Sequence, residues 1–204
     1  MTTKTTEAKD GQAVATETQT IMLAAPDLRV IQLGIAGTSP LICHQWSEKA
    51  KKQMLDKQTK QAKNGRETKD PDQDYEDSLY LHPEGGYGFP AVAFKAAAVR
   101  AGTYADMKMT FLRGAFHVIG ELARIEGTPE PREDMVRVNN GAPDIRYRGM
   151  FPTWHTTLTI RYNARAISAE QILNLFQVAG FSVGVGEWRP ERNGSFGTFE
   201  VATS

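Results

Sequence analysis

The chain has a single cysteine, Cys43, in 204 residues. One thiol closes no internal disulfide, which excludes a disulfide-stapled scaffold and fits a reducing compartment. No apolar run approaches the roughly 18 residues that a membrane-spanning helix needs. Met1–Thr20 is rich in Thr, Ala and acidic residues and lacks the basic-then-apolar layout of a secretory signal. A cytoplasmic protein with no membrane partner is the expectation. Net charge is missing as well: Lys plus Arg and Asp plus Glu both number 24. No overall field therefore draws this protein to nucleic acid, and any such attraction has to be local.

Signatures of chemistry are equally scarce. The phosphate-loop pattern ending in GK[ST] is absent, as is GxGxxG at the mouth of a long helix, which argues against nucleotide hydrolysis and dinucleotide binding. His44, His82, His117 and His155 are scattered without metal-ligand spacing. Cys43 and His44 are neighbours, and in an extended segment neighbours face apart, so they make a poor nucleophile–base pair. The acidic run Asp70, Asp72, Asp74, Glu76 and Asp77 lacks the glycine and terminal glutamate of a calcium loop. No metal, cofactor or catalytic residue is expected.

What the chain does contain is an ordinary globular composition, 40% hydrophobic and 24% charged, in enough residues for a good core. Residues 1–25 read as a disordered tail, since Met1–Thr20 holds one Val and no Leu, Ile or aromatic residue. Residues 26–204 read as one α+β domain with a polar insertion near 64–88. Leu28–Gly37 is a β-branched run that reads as a strand. Ser47–Lys63 has a basic helical pattern, with Ser47 as N-cap and Gly65 as stop. Trp46, Ala50, Met54 and Leu55 lie on one side of it, and Lys51, Lys52, Lys57 and Lys60 on the other. That lysine face is either solvated or a surface for nucleic acid.

Arg66–Tyr80 reads as an exposed loop with an acidic turn, and Ala91–Ala105 as a helix packed against other protein. Met107–Gly120 fits a helix or a strand. Glu121–Gly127 reads as a strand ended by Thr128–Asp134, and Val136–Gly141 as strand then turn. His155–Asn163 alternates, with Leu158, Ile160 and Tyr162 on its buried side. Ser168 and Gln171 form a capping box before a helix that buries Ile172, Leu175, Phe176 and Ala179 and ends at Gly180. "FSVGV" and "GTFEV" then read as two strands flanking a loop. The simplest architecture is an antiparallel sheet with helices on one face, the split βαβ of ferredoxin-like or RRM-like folds.

Two stretches carry the functional reading. "GVGEWRPERNGSFGTFEV" (Gly184–Val201) packs Gly184, Gly186, Gly194 and Gly197 around Trp188, Arg189 and Arg192. Glycines let backbone N–H groups face an anion, arginines fork onto phosphates, and the indole offers a stacking surface. The same loop can be a plain hairpin, with Asn193-Gly194 as its turn. In the second stretch, Arg146 and Arg148 interleave with Tyr147, Phe151 and Trp154, and Arg161 follows. Cations beside rings are how single strands are held. Phe151 and Trp154 are assigned to the core and Tyr147 to the surface. Of the 24 basic residues, arginine dominates the second half, which makes that half the better place for an anion site.

The glycine-rich C-terminal loop resembles that of the repeat-associated (RAMP) proteins of CRISPR systems. "GTSPLICHQWSEKA" (Gly37–Ala50) is similar to the segment after the first strand in some of them. The loop match falls on Gly184, Gly186, Arg189, Gly194 and Gly197. The resemblance implies a ferredoxin-like or RRM-like fold, RNA binding, and coating of a guide RNA as a polymer. The catalytic histidine constellation of the RNA-processing members is not matched, so binding rather than cleavage carries over. The general look of the chain, polar tail included, is also similar to bacteriophage or prophage proteins.

The expectation is a non-enzymatic, self-associating protein that binds single-stranded RNA or DNA. Its contacts would come from Lys51, Lys52, Arg146, Tyr147, Arg148, Arg161, Gly184, Gly186, Trp188, Arg189, Arg192, Gly194 and Gly197. Two alternatives stand beside it. One is a structural or interaction protein, which the zero net charge and the Ala-rich segment Ala91–Ala101 also fit. The other is a metal-independent RNA endonuclease using His44 or His155.

Overall fold

A computed structural model describes residues 24–46, 51–52, 54–55, 58–59, 70–138 and 141–202. Residues 1–23 of the tail expected at 1–25 lie outside them, as do Ser47, Ala50, Lys57, Lys60, Gly65 and 66–69. In chain order the elements are β1 (Leu28–Gly37), β2 (Leu41–Ile42), α1 (Pro71–Asp77), β3 (Tyr80–Leu81), β4 (Tyr87–Pro90), α2 (Ala91–Ala101) and α3 (Met109–Ala115). β5 (Phe116–Val118), β6 (Leu122–Ile125), β7 (Glu130–Val138), β8 (Ala142–Phe151), β9 (His155–Asn163), α4 (Ala169–Ser182) and β10 (Phe199–Val201) follow.

The central sheet runs β10-β1-β9-β5, with every neighbouring pair antiparallel. α2 and α3 lie between β1 and β5, and α4 joins β9 to β10. That strand order, with one helical crossover in each half, is the split βαβ arrangement of ferredoxin-like folds. Two insertions decorate it. β2, α1, β3 and β4 precede α2, while β6, β7 and β8 separate β5 from β9. Their strands form two small sheets, β2-β8-β7 and β3-β4-β6.

Register explains which side is buried. Leu33 lies opposite Leu158 and Ile31 opposite Ile160, so these apolar residues share one face. The helices cover that face through Ile172, Leu175, Phe176 and Ala179 of α4 and Phe94, Ala97, Ala98 and Ala101 of α2, all buried. Trp154 is fully buried beside Phe94 and Phe199, as expected, and its Nε1 donates to the Ser39 carbonyl at 2.9 Å. The other face carries Val30 opposite Arg161, Gln32 opposite Thr159 and Ala36 opposite His155. No Phe, Tyr or Trp stands among these positions, so the sheet lacks the paired stacking rings of the RRM kind there.

The structure departs from the sequence reading in several places. Met107–Gly120 is both alternatives in turn, since α3 runs directly into β5. β6 ends at Ile125, before Thr128–Asp134 as read, but that stretch is not all loop, because β7 begins at Glu130 inside it. The acidic turn is the short helix α1, whose Asp70 cap accepts from the Gln73 N–H at 3.2 Å. Ser78 anchors it to β8 by accepting from the Gly149 N–H at 2.7 Å.

The capping box of α4 forms as read, but Gly180 does not end the helix. A Cβ at Gly180 would collide with the Phe199 carbonyl, so this glycine lets α4 approach β10. Val183 and Gly184 N–H both donate to the Ala179 carbonyl, and Gly184, at φ +69°, makes the exit. "FSVGV" is thus helix end and turn, not a strand. Of the lysine-bearing segment, Lys51, Lys52, Met54, Leu55 and Gln58 are helical and exposed. No helix among the described residues is long and apolar enough to cross a membrane.

Candidate nucleic-acid interface

The glycine-rich loop is not a hairpin. It leads from α4 through a single 3-10 turn, Pro190–Arg192, into β10. Asn193 is left-handed at φ +60°, but it closes that turn instead of joining two strands. The loop is knotted by its own backbone. Val185 N–H donates to the Gly197 carbonyl at 2.9 Å and Phe196 N–H to the Trp188 carbonyl at 3.0 Å. It is also stapled to the segment after β1, with Glu187 N–H on the Ile42 carbonyl and Gly197 N–H on the Pro40 carbonyl. A Cβ at Gly194 would collide with the Trp188 carbonyl, and one at Gly197 with the Val185 carbonyl. These two glycines therefore serve the closure of the loop, not an open backbone for an anion. Trp188 sits at φ +54°, a costly conformation for a bulky residue, with its side chain partly exposed.

The loop forms one wall of a cavity of about 650 Å³ whose other wall is α2. Val92, Lys95, Ala96 and Arg100 line it from α2, at the three- and four-residue spacing that puts side chains on one helix face. Arg113 adds a cation from α3, and the loop adds Glu187, Arg189 and Glu191. Glu191 bridges the walls: Arg189 Nη2 lies 2.9 Å and Arg100 Nε 3.2 Å from its carboxylate. Arg189 Nη1 also donates to the Gly186 carbonyl at 3.1 Å. Lys95 Nζ donates to the Arg113 carbonyl at 2.9 Å and lies 3.0 Å from His117 Nδ1. Burial lowers the Lys95 ammonium below its usual range.

At the cleft floor, His44 Nδ1 stands 3.5 Å from Glu187 Oε1. The hydrogen bond from His44 holds the Glu187 carboxyl below its usual range; Arg148 and Arg189 add to this, against the cost of half-burial. Behind this pair lies a buried ion pair. Arg148 and Asp134 are 4% and 8% exposed, Arg148 Nη1 donates to Asp134 at 3.2 Å, and Arg132 Nε reaches the same carboxylate at 2.9 Å. Arg132 in turn sits over the ring of Phe196, so the β7–β8 hairpin braces the loop. Arg148 was expected at a phosphate; the structure gives it to Asp134, inside the protein.

The other sequence candidates are scattered. Arg146 and Tyr147 line a second cavity of about 210 Å³ together with His44, Asp74, Asp77 and Asp144. Arg146 Nε is 3.5 Å from Asp144, and this acidic setting suits a phosphate poorly. Desolvation, with Glu133 and Asp74 nearby, raises the Tyr147 hydroxyl. Lys51 and Lys52 line neither cavity. Arg192 is exposed on the 3-10 turn, and Arg161 is exposed on the uncovered sheet face beside His117. His155 is on that face too and lines neither cavity. Among the described residues no group of His, Cys, Asp and Glu could hold a metal ion. Burial pushes the Cys43 thiol up to about 12, which leaves it inert.

The cleft-facing Lys95, Arg100 and Arg113 were missed by sequence reasoning. Their signal was present: Lys95 and Arg100 are the cations of an otherwise small and apolar helix, and Val92, Ala96 and Arg100 are four apart.

No family model matches the chain, and no curated protein sequence matches it. Solved structures do resemble it, two of them as follows. The crystal structure of Cmr6 from Pyrococcus furiosus covers 89% of this chain and all of its own, at 12% identity and a TM-score of 0.47. A chain in the cryo-EM structure of the type III-B Cmr-beta complex bound to cognate target RNA covers 86% of this chain at 10% identity and a TM-score of 0.56. This chain spans 59% of that one's length. The likeness to the second is one of fold and agrees with the ferredoxin-like strand order of the central sheet.

Proposed function

We propose that this protein binds single-stranded RNA, without catalysis, in the cleft between α2 and the glycine-rich loop. The observation that carries the reading is the convergence of Lys95, Arg100, Arg113 and Arg189 on one cavity in a chain with no net charge. Arginine and lysine there would take backbone phosphates, and the partly exposed Trp188 at the loop would stack a base. The fold neighbour's occurrence in a complex bound to target RNA supports the same ligand class. Work as a subunit of a larger cytoplasmic assembly, copies of the same chain included, belongs to this reading. Light scattering of the purified protein with and without RNA tests that part.

Fluorescence anisotropy with a labelled oligouridylate across a salt series tests the binding. Affinity should fall steeply with salt, and Arg100→Gln or Arg189→Gln should each lower the slope by about 1. No binding at low salt, or binding with no salt slope, overturns the proposal.

One observation favours a second reading. His44, backed by Glu187 at 3.5 Å, lines the cleft floor, where it could take a proton from a ribose 2′-hydroxyl. Cleavage of a bound RNA that disappears in His44→Ala, with binding retained, would establish it. Intact RNA after long incubation with the parent protein would remove it.

A further inference from the structure

We propose that the RNA path leaves the cleft over the edge of the central sheet, where Lys95, Arg113, His117 and Arg161 form a second phosphate subsite. This rests on the cleft reading above. Lys95 and Arg113 line the cleft, so the subsite begins where the cavity ends. Lys95 Nζ reaches across to His117 Nδ1 at 3.0 Å. His117 on β5 pairs directly with Arg161 on β9, so both side chains stand on the uncovered face of the sheet. β5 is the edge strand, and Arg113, His117 and Arg161 are exposed.

The electrostatics set this cluster apart from the paired arginines elsewhere in the molecule. Arg29, Arg100, Arg132, Arg146, Arg148 and Arg189 each have a carboxylate within 4.0 Å or less. Among the described residues none of Lys95, Arg113, His117 and Arg161 has one. Three cations and an imidazole therefore gather without a counter-charge in a chain whose charges balance. Burial chiefly, and then the repulsion of Lys95 and Arg161, depress the protonation of His117. A phosphate diester seated there would accept from Lys95 and Arg161 and relieve that repulsion. No Phe, Tyr or Trp lies among the neighbouring open-face positions, so the subsite would hold chiefly backbone.

Arg161→Gln and His117→Asn, both at exposed positions, separate this subsite from the cleft. Anisotropy is measured with labelled oligouridylates of about 4 and about 12 nucleotides, spanning the usual range of single-strand site sizes. With the longer strand, Arg161→Gln should weaken binding roughly fivefold to tenfold and lower the salt slope by about 1, while the shorter strand binds as to the parent. The His117 ring titration, followed by NMR, should move upward when the longer strand is added. Unchanged unfolding midpoints confirm that both variants fold. If both variants bind the longer strand as the parent does, while Arg100→Gln loses binding, the subsite is refuted and the cleft stands. If the parent binds neither strand, the cleft reading fails and the subsite falls with it.

Discussion

The α2 wall of the cleft and the β7–β8 hairpin are both rich in cations, and they use them in opposite ways. On the hairpin, Arg148 is buried against Asp134, Arg132 shares that carboxylate, and Arg146 leans on Asp144. Those arginines brace one element against another. On the cleft side, Lys95 and Arg113 meet no carboxylate among the described residues, and Arg100 and Arg189 share a single one. The difference follows from where the strand and the helix point. A strand of a small inserted sheet alternates its side chains between two partly covered faces. One face of α2 is buried and the other is left at the cavity. Density of arginine in sequence is thus a poor guide to availability; the face on which each one falls decides it.

The sharpest way to break this contrast is Asp134→Ala. It would leave the Arg148 guanidinium buried without its counter-charge, and losing one partner of a buried pair costs about 3–5 kcal/mol. A urea titration should show that loss, whereas Arg146→Gln should stay within about 0.5 kcal/mol. An Asp134→Ala protein as stable as the parent would mean that the hairpin arginines are not bracing anything.

Next in size is the loop tryptophan. Trp188→Ala should weaken oligouridylate binding by about 1–3 kcal/mol, the usual worth of one stacked base. Trp188→Gly should lose as much affinity while keeping or raising the unfolding midpoint, because glycine accepts φ +54° at no steric cost. A variant that loses affinity only because it unfolds would undo the stacking assignment.

Smaller still is the binding contrast between the two regions. Arg100→Gln should cost roughly tenfold in affinity at low salt, and Arg146→Gln nothing beyond error. The reverse order would move the RNA from the cleft to the hairpin.

The smallest effect concerns pH. The Glu187 carboxyl titrates below the ordinary glutamate value of 4.5, so its stabilisation is complete above that value and is lost as pH falls through the lower folded one. The gap in stability between the parent and Glu187→Gln should be constant from neutral pH down to about 5 and close below 4.5. A gap that closes near neutrality would show that Glu187 is not the titrating member.

Much of the fold was legible in the sequence for plain reasons. β1 was bounded by Pro26 and Gly37, β9 by strict alternation, and the start of α4 by its capping box, all signals carried within a few residues. The failures were non-local. Gly180 looks like a helix stop until Phe199 is placed beside it. Asn193-Gly194 looks like a hairpin turn until Trp188 is seen to claim the space within the loop. The site was half legible. Arg189 and Trp188 were found because they stand in a conspicuous glycine-rich string. Lys95, Arg100 and Arg113 were missed because their partner across the cleft lies about ninety residues away in sequence, a distance that no local pattern spans.

The staple between the loop and the segment after β1 also bears on the order in which the molecule is made. Thr198 N–H meets Ser39 Oγ at 3.0 Å across 159 residues, and Thr198 Oγ1 meets the Thr38 hydroxyl at 2.8 Å across 160. Contacts of such long sequence separation close late, after the loops between them have paid their entropy. A chain emerging from the ribosome holds α2 long before it holds Arg189. The cleft is therefore completed only after the loop is made, and a nascent chain halted at α4 presents one wall of it with nothing facing it.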